Sequence, residues 1–269
     1  MIFPGMMKMT SPDYPDKAEL QELLNDRYEL YNRKSFIEND PVCIPHLFEN
    51  EDDIAISGFL TATIAWGQRP VLIRNARKMM QWMDDAPADY IRHFRESDLD
   101  RMQQFVHRTF SGRHLIYMIR ALQQILQEEG KLEKAFKSNE PGAYAGITAF
   151  RQRMLRLPDT KGVSRHIADP EAGSAAKRLN MFLRWMVRSD NRGVDFGIWK
   201  IFSPAELICP LDVHSGGVAR KLGLLSRKQD DRKAAEELTD ALKEFDAEDP
   251  VKYDFALFGL GVNENFRKI

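Results

Sequence analysis

The 269-residue chain has little cysteine: Cys43 and Cys209 are its only two. Two thiols form one bridge at most and cannot ligate a cluster, so an iron–sulfur centre is excluded and a reducing cytoplasm is expected. Long apolar runs are missing too. Each breaks at a charge before the roughly eighteen residues that span a bilayer. Residues 1–15 also lack a basic segment followed by an apolar stretch, so neither a membrane partner nor export is expected. Metal-ligand spacing is absent: Cys43 and His46 offer two ligands, and Cys209 with His214 adds no recognised pattern. Gly259-Leu260-Gly261 lacks the lysine of a phosphate loop and the third glycine of a dinucleotide site, and reads as a helix-ending turn. No metal and no cofactor are expected. Internal repeats and low-complexity segments are absent, and strand signals are scarce.

What remains is a soluble globular composition, 43% hydrophobic and 29% charged, dominated by helical periodicity. Residues 17–31 place Leu20, Leu23, Leu24, Tyr28 and Tyr31 at threes and fours. Residues 54–66 are almost wholly apolar, with Asp52 and Asp53 as their expected start, and read as a buried core helix. Amphipathic helices are expected over 70–83, 88–94, 99–110, 114–129 (with Gly130 as a stop), 143–155, 174–188, 213–222, 231–245 and 253–258. This is an all-α chain, read as an N-terminal segment (1–50) packing on a helical lobe (51–173) and a second lobe (174–269). The net charge of −1 hides an asymmetry. Residues 151–200 carry eleven Lys/Arg against five Asp/Glu, whereas residues 203–250 carry seven against eleven. On a helical wheel of 174–188, Lys177, Arg184 and Arg188 lie opposite the apolar face. A cationic, solvated face is therefore expected.

Three segments carry a resemblance. Phe59-Leu60-Thr61-Ala62-Thr63-Ile64-Ala65-Trp66-Gly67-Gln68, continuing into Arg69-Pro70-Val71, resembles the apolar helix and Gln-bearing turn of the helix-hairpin-helix DNA glycosylases. Gly173-Ser174-Ala175-Ala176-Lys177 is similar to the end of their hairpin, with the lysine opening its second helix. Pro210-Leu211-Asp212-Val213-His214, with Val218-Ala219-Arg220 one turn on, resembles their aspartate-led helix. Ala175 stands where the hairpin's second glycine is usual, the preceding Asp169-Pro170-Glu171-Ala172 is longer and acidic, and Lys177 and Asp212 are 35 positions apart. The degenerate hairpin and wide spacing make the archaeal 8-oxoguanine glycosylases the nearer resemblance. It implies a two-lobed helical fold with a central cleft, and a monomeric base-excision repair enzyme, cytoplasmic and nucleoid-associated. That enzyme would bind damaged double-stranded DNA, remove an oxidised purine and act as a β-lyase.

The chemistry asks for the same residue types. Breaking an N-glycosidic bond develops positive charge on the sugar, which a carboxylate such as Asp212 stabilises. A neutral amine attacking the same carbon forms a Schiff base; Arg178 and a helix start beside Lys177 favour the neutral form. Gln68 and Arg69 are expected at the flipped nucleotide, Gly173, Arg178, Arg184 and Arg188 at phosphates, and His214 at a phosphate or at Asp212. Phe258 and Phe266 are candidates for stacking on the base. Plainer roles compete: Asp212 as a helix cap, Lys177 as a solvated lysine, Gln68 as a turn residue. Two alternative functions stay open, a monofunctional glycosylase in which Asp212 activates water and a noncatalytic nucleic-acid-binding helical protein.

Overall fold

A computed structural model describes residues 16–264 and Phe266, so the reading of residues 1–15 lies outside the described residues. The fold is all-α, with one small two-stranded hairpin among the described residues. Helix α1 (Lys17–Tyr31) opens with a reciprocal cap, the Asp16 carboxylate accepting the Glu19 amide at 2.9 Å. After the short α2 (Lys34–Ile37) and two 3₁₀ turns, α3 spans Glu51–Thr63. Its cap is Asn50, which accepts the amides of Asp52 and Asp53, so the helix starts before the two aspartates expected to open it. Then come α4 (Arg69–Trp82), α5 (Pro87–His93), α6 (Gly112–Glu129), α7 (Ala143–Met154), α8 (Lys177–Val187), α9 (Val213–Lys221), α10 (Arg232–Lys243) and α11 (Asp254–Val262).

One expected helix is not an α-helix. Residues 99–110 form the end of a 3₁₀ helix (Glu96–Gln104) and a hairpin, β1 (Val106–His107) pairing antiparallel with β2 (Phe110–Ser111). In the hairpin His107 and Phe110 are buried; along the 3₁₀ helix and its cap the buried residues are Leu99, Met102 and Phe105. They recur every three residues, the repeat of a 3₁₀ helix, where side chains eclipse at i and i+3.

α3 is the central helix, buried along residues 54–63. It packs against α8, and Gly58 makes the approach possible: a side-chain carbon there would lie 3.3 Å from both Phe182 and Met186. Around this crossing Phe59, Phe136, Phe150 and Phe182 pack ring against ring. α11 lies between α1 and α9. A side-chain carbon on Gly259 would come within 2.0 Å of the Tyr31 ring, and one on Gly261 within 3.3 Å of the His214 carbonyl. Gly259 and Gly261 are therefore helix-packing residues inside α11, not a helix-ending turn. Their smallness lets α11 seat the start of α9, and with it Asp212. The N-terminal α1 thus packs on the C-terminal α11, and one hydrophobic core runs from Leu20 to Leu260.

Candidate active site

Two helix starts meet. Asp212 caps α9: one oxygen, Oδ1, accepts the amides of His214 at 2.7 Å and Ser215 at 3.0 Å. The other, Oδ2, lies 3.6 Å from Nζ of Lys177, the first residue of α8. Capping and facing the amine are thus divided between two oxygens of one carboxylate. Burial pushes the Asp212 carboxyl up, but Lys177, the Ser215 and His214 amides and the His214 ring outweigh it and hold it below the usual carboxylate value. It is an anion at neutral pH. The side chains of Lys177 and Asp212 keep 32% and 27% of their exposure, so a substrate can reach both.

The turn before α8 explains how the lysine is aimed. Ala176 is in the left-handed region (φ 50°), a conformation that costs a non-glycine residue about 1–2 kcal/mol and reverses the chain just before Lys177. The Ala175 carbonyl is fixed by Asn180 Nδ2 at 2.8 Å and by the Tyr144 hydroxyl at 3.2 Å. The Gly173 carbonyl accepts the Arg232 amide at 2.9 Å, and Ser174 bridges to Asp231 at the start of α10.

Lys177 and Asp212 line a cavity of about 810 Å³, together with Phe36, Asp40, Trp66, Arg69, Arg178, Phe258 and others. Its walls carry five aromatic side chains, Phe36, Trp66, Trp185, Phe255 and Phe258, together with seven charged ones, among them Asp40, Asp254, Arg69 and Arg178. Arg69 lies 4.5 Å above the Phe258 ring. Arg178 lies 4.7 Å above Trp66 and donates to the carbonyls of Thr63 and His166. Burial lowers the pKa of its guanidinium, and no carboxylate is within ion-pair distance among the described residues. Gln68 is exposed, between the cavity-lining Gly67 and Arg69, and its side chain does not cap α4. His214, exposed, also lines the cavity. Phe266 packs against the hydrophobic core and is not part of the cavity lining.

Three expectations need correction. Arg184 and Arg188 do not face solvent: their side chains are 4% and 1% exposed. Arg184 pairs with Asp195 at 3.3 Å and with Asp254; Arg188 pairs with Asp190, Asp195 and Asp249 at 2.7–3.1 Å. Both charges are neutralised by buried carboxylates and not presented to solvent, although Arg184, unlike Arg188, lines the cavity beside Asp254. Gly173 offers no phosphate site either. Its amide donates to Pro170 at 3.0 Å and the next, Ser174, to Asp169 at 3.0 Å. The Asp169 carboxylate takes the Glu171 and Ala172 amides, and Ser174 Oγ takes that of Ala176. The amides of Glu171, Ala172, Gly173, Ser174 and Ala176 are thus taken up within the hairpin.

Two cavity residues escaped the sequence reading. Asp254 carries no motif; burial pushes its carboxyl up to about 6, against the pull of Arg184 and Lys177. Asp40 had a signal in the Asp40-Pro41 pair, a residue that can cap followed by one that opens a turn. Its Oδ1 accepts the Val42 amide at 3.0 Å, and burial pushes its carboxyl up despite that bond and the charges of Arg184, Arg69 and Lys177.

Among the described residues no helix is long and apolar enough to cross a membrane, and no group of three or more His, Cys, Asp or Glu could hold a metal ion. Comparison with curated proteins and with solved structures finds no match. One family, described as a protein of unknown function (DUF2400), matches residues 40–263, which take in Asp40, Gln68, Lys177, Asp212 and Phe258. With most of its length so matched, the chain belongs to the DUF2400 family.

Proposed function

We propose that the protein is a DNA glycosylase with β-lyase activity that removes a damaged base, an oxidised purine by resemblance, from duplex DNA. The observation that carries this reading is the 3.6 Å approach of Lys177 Nζ to Asp212 Oδ2 on the wall of an aromatic cavity. An amine and a carboxylate so placed can flank one deoxyribose carbon. As the glycosidic bond breaks, the base leaves with its electron pair, Asp212 Oδ2 stabilises the positive charge on the sugar, and the Lys177 amine bonds to C1′. Ring opening gives the Schiff base, and loss of a C2′ proton expels the 3′ phosphate.

The surroundings suit a nucleic acid. Trp66, Phe36 and Phe258 line the cavity with aromatic surface against which a base turned out of the duplex can pack. Arg178, half-buried, bonded to two backbone carbonyls and without an ion pair to a described residue, and Arg74 and Arg77, exposed on α4 without an ion pair to a described residue, remain for phosphates. Gln68 stands beside the cavity, where it can enter the gap left in the helix.

Borohydride reduction of the protein with a lesion-bearing duplex tests the reading. We expect a covalent protein–DNA adduct with the native chain and none with Lys177→Gln. Base release without an adduct in the native protein points instead to Asp212-activated water. Equal binding of damaged and intact duplexes, with neither processed, removes the enzyme reading.

A further inference from the structure

We propose that the β1–β2 hairpin and the residues packed beside it anchor the backbone of duplex DNA, with Arg108, Arg113, Lys161 and Arg165 as the phosphate contacts. The identity of the anion rests on the glycosylase reading above; what is added is a second binding surface, outside the cavity, in place of the occupied amides around Gly173. Among the described residues most arginines face a carboxylate within ion-pair distance. Apart from Arg33, those that do not are Arg69, Arg74 and Arg77 on α4, Arg108 at the hairpin tip, and Arg113, Arg165 and Arg178 on segments packed beside the Trp66 turn. Lys161 has no ion pair to a described residue either, and Arg108, Arg113, Lys161 and Arg165 are all exposed. In a chain of net charge −1, the uncompensated guanidinium groups are thus gathered on one side.

Three histidines tie this surface to the cavity wall. His107 Nε2 donates to the Trp66 carbonyl at 3.0 Å, and its Nδ1 accepts from Asn75 of α4 at 2.9 Å. The His166 ring stacks on that of Trp66, centres 5.8 Å apart, and the His114 ring centre lies 4.6 Å from that of His166. Trp66 lines the cavity, so a duplex gripped at the hairpin is held in register with the base site.

The cations are aimed without being neutralised. Arg165 donates to the Thr109 carbonyl at 3.1 Å, and Arg113 to the Lys161 carbonyl at 2.7 Å. A carbonyl orients a guanidinium and leaves its net charge intact, whereas a carboxylate cancels it. The resulting field acts on His166: burial pushes it down to about 4, and His114, Arg165 and Arg178 add to that in the same direction. Arg108 carries a further mark. It opens the two-residue loop between β1 and β2 in the left-handed region (φ 54°), where glycine is favoured and another residue loses about 1–2 kcal/mol. Its side chain lies over the cavity-lining Gly67, itself at φ 90°, where a side-chain carbon would come within 3.2 Å of Arg108 Cδ and Nη1. A strained arginine over a glycine that leaves it room sets one exposed guanidinium at the mouth of the cavity.

Fluorescence anisotropy of a lesion-free duplex at several salt concentrations tests the anchor, and borohydride trapping on an abasic-site duplex tests the enzyme reading separately. Arg108→Gln combined with Arg165→Gln should lower the slope of log affinity against log salt by about 2, roughly one for each lost phosphate contact. Arg108→Lys combined with Arg165→Lys should keep the native slope, because the charges remain. Lys134→Gln combined with Lys137→Gln removes the same charge from exposed positions beside another cavity, and should also leave the slope unchanged. A glutamine pair at 108 and 165 with the native slope, or a pair at 134 and 137 that lowers it as much, overturns the anchor and leaves the glycosylase reading standing. A native protein that binds the duplex through Arg108 and Arg165 but never traps keeps the anchor and overturns the glycosylase reading; one that binds no duplex overturns both.

Discussion

The two ends of α8 carry the same chemistry in opposite states. At its start Lys177 faces one carboxylate at 3.6 Å, and both side chains keep about a third of their exposure. Near its end Arg184 and Arg188 are almost wholly buried, and Asp195 touches both guanidinium groups. Tyr28 of α1 and Asn32 at its C-terminal cap extend the second network, through Arg188 Nη2 at 2.9 Å and Asp190 at 2.6 Å. A cation with several partners in a dry site is fixed, because any departure leaves buried charge uncompensated. One with a single, partly solvated partner can change bonds. The difference teaches that the polar stripe of α8 is two things: a structural clamp joining α1, α8 and α11, and a partly solvated lysine with one ion-pair partner among the described residues.

The largest way to break this comparison is to remove a cation from the clamp. Arg188→Ala removes the guanidinium shared by Asp190, Asp195 and Asp249, leaving Asp249 without an ion pair to a described residue and Asp195 with Arg184 alone, and we expect a loss of about 3–5 kcal/mol of folding stability. Lys177→Gln, at the exposed end, should change it by no more than about 1 kcal/mol. Urea denaturation of the two variants measures both. Similar losses would mean that the two ends are not different in kind.

The resemblance and the helical period made α1, α4, α6 and α9 legible, because a repeat of 3.6 is written in each segment by itself. The clamp was not legible for the opposite reason. Arg184 and Arg188 sit on a polar stripe that any wheel assigns to solvent, while the carboxylates that neutralise them lie 2 to 70 positions away, on other elements. The surplus in 151–200 is likewise cancelled in part from outside it: Arg153 pairs with Glu129, Arg156 with Glu128 and Arg192 with Glu29. Lys177 and Asp212 could be paired before folding only through the family pattern. Asp40 and Asp254 carry no such pattern, and only the packing brings them to the same cavity.

Acid sharpens the comparison, because the carboxylates at the two ends shift in opposite directions. Burial pushes Asp254, in the clamp, up to about 6 from 3.8. Between these values the folded protein keeps a proton that the unfolded chain has lost. Its contribution is present below about pH 4 and is lost as the pH rises through 6. Asp212 shifts down despite its burial, chiefly through Lys177. Its contribution is present above its unfolded value and is lost as the pH falls through the folded one. Thermal melting from about pH 3 to pH 7 should therefore show native stability relative to Asp254→Asn decreasing between about pH 4 and 6, and native stability relative to Asp212→Asn increasing up to about pH 4 and level above it. Slopes of the same sign would show that the two ends share one electrostatic environment.

The smallest expected effect concerns the turn that aims the lysine. Ala176 pays for its left-handed conformation with about 1–2 kcal/mol. Glycine removes that cost but loses roughly 0.4–1 kcal/mol to the greater freedom of the unfolded chain. Ala176→Gly should therefore raise stability by about 1 kcal/mol or less, a rise in melting temperature of roughly 2–4 °C at most. Strain retained at such a cost makes sense if it holds Lys177 toward Asp212. In that case the more stable variant should also trap an abasic-site duplex more slowly, since a glycine hinge lets the first turn of α8 relax away. A higher melting temperature with unchanged trapping would mean that Ala176 closes the turn and has no part in aiming the amine; a stabler protein that traps less would tie the strain to the lysine end of α8.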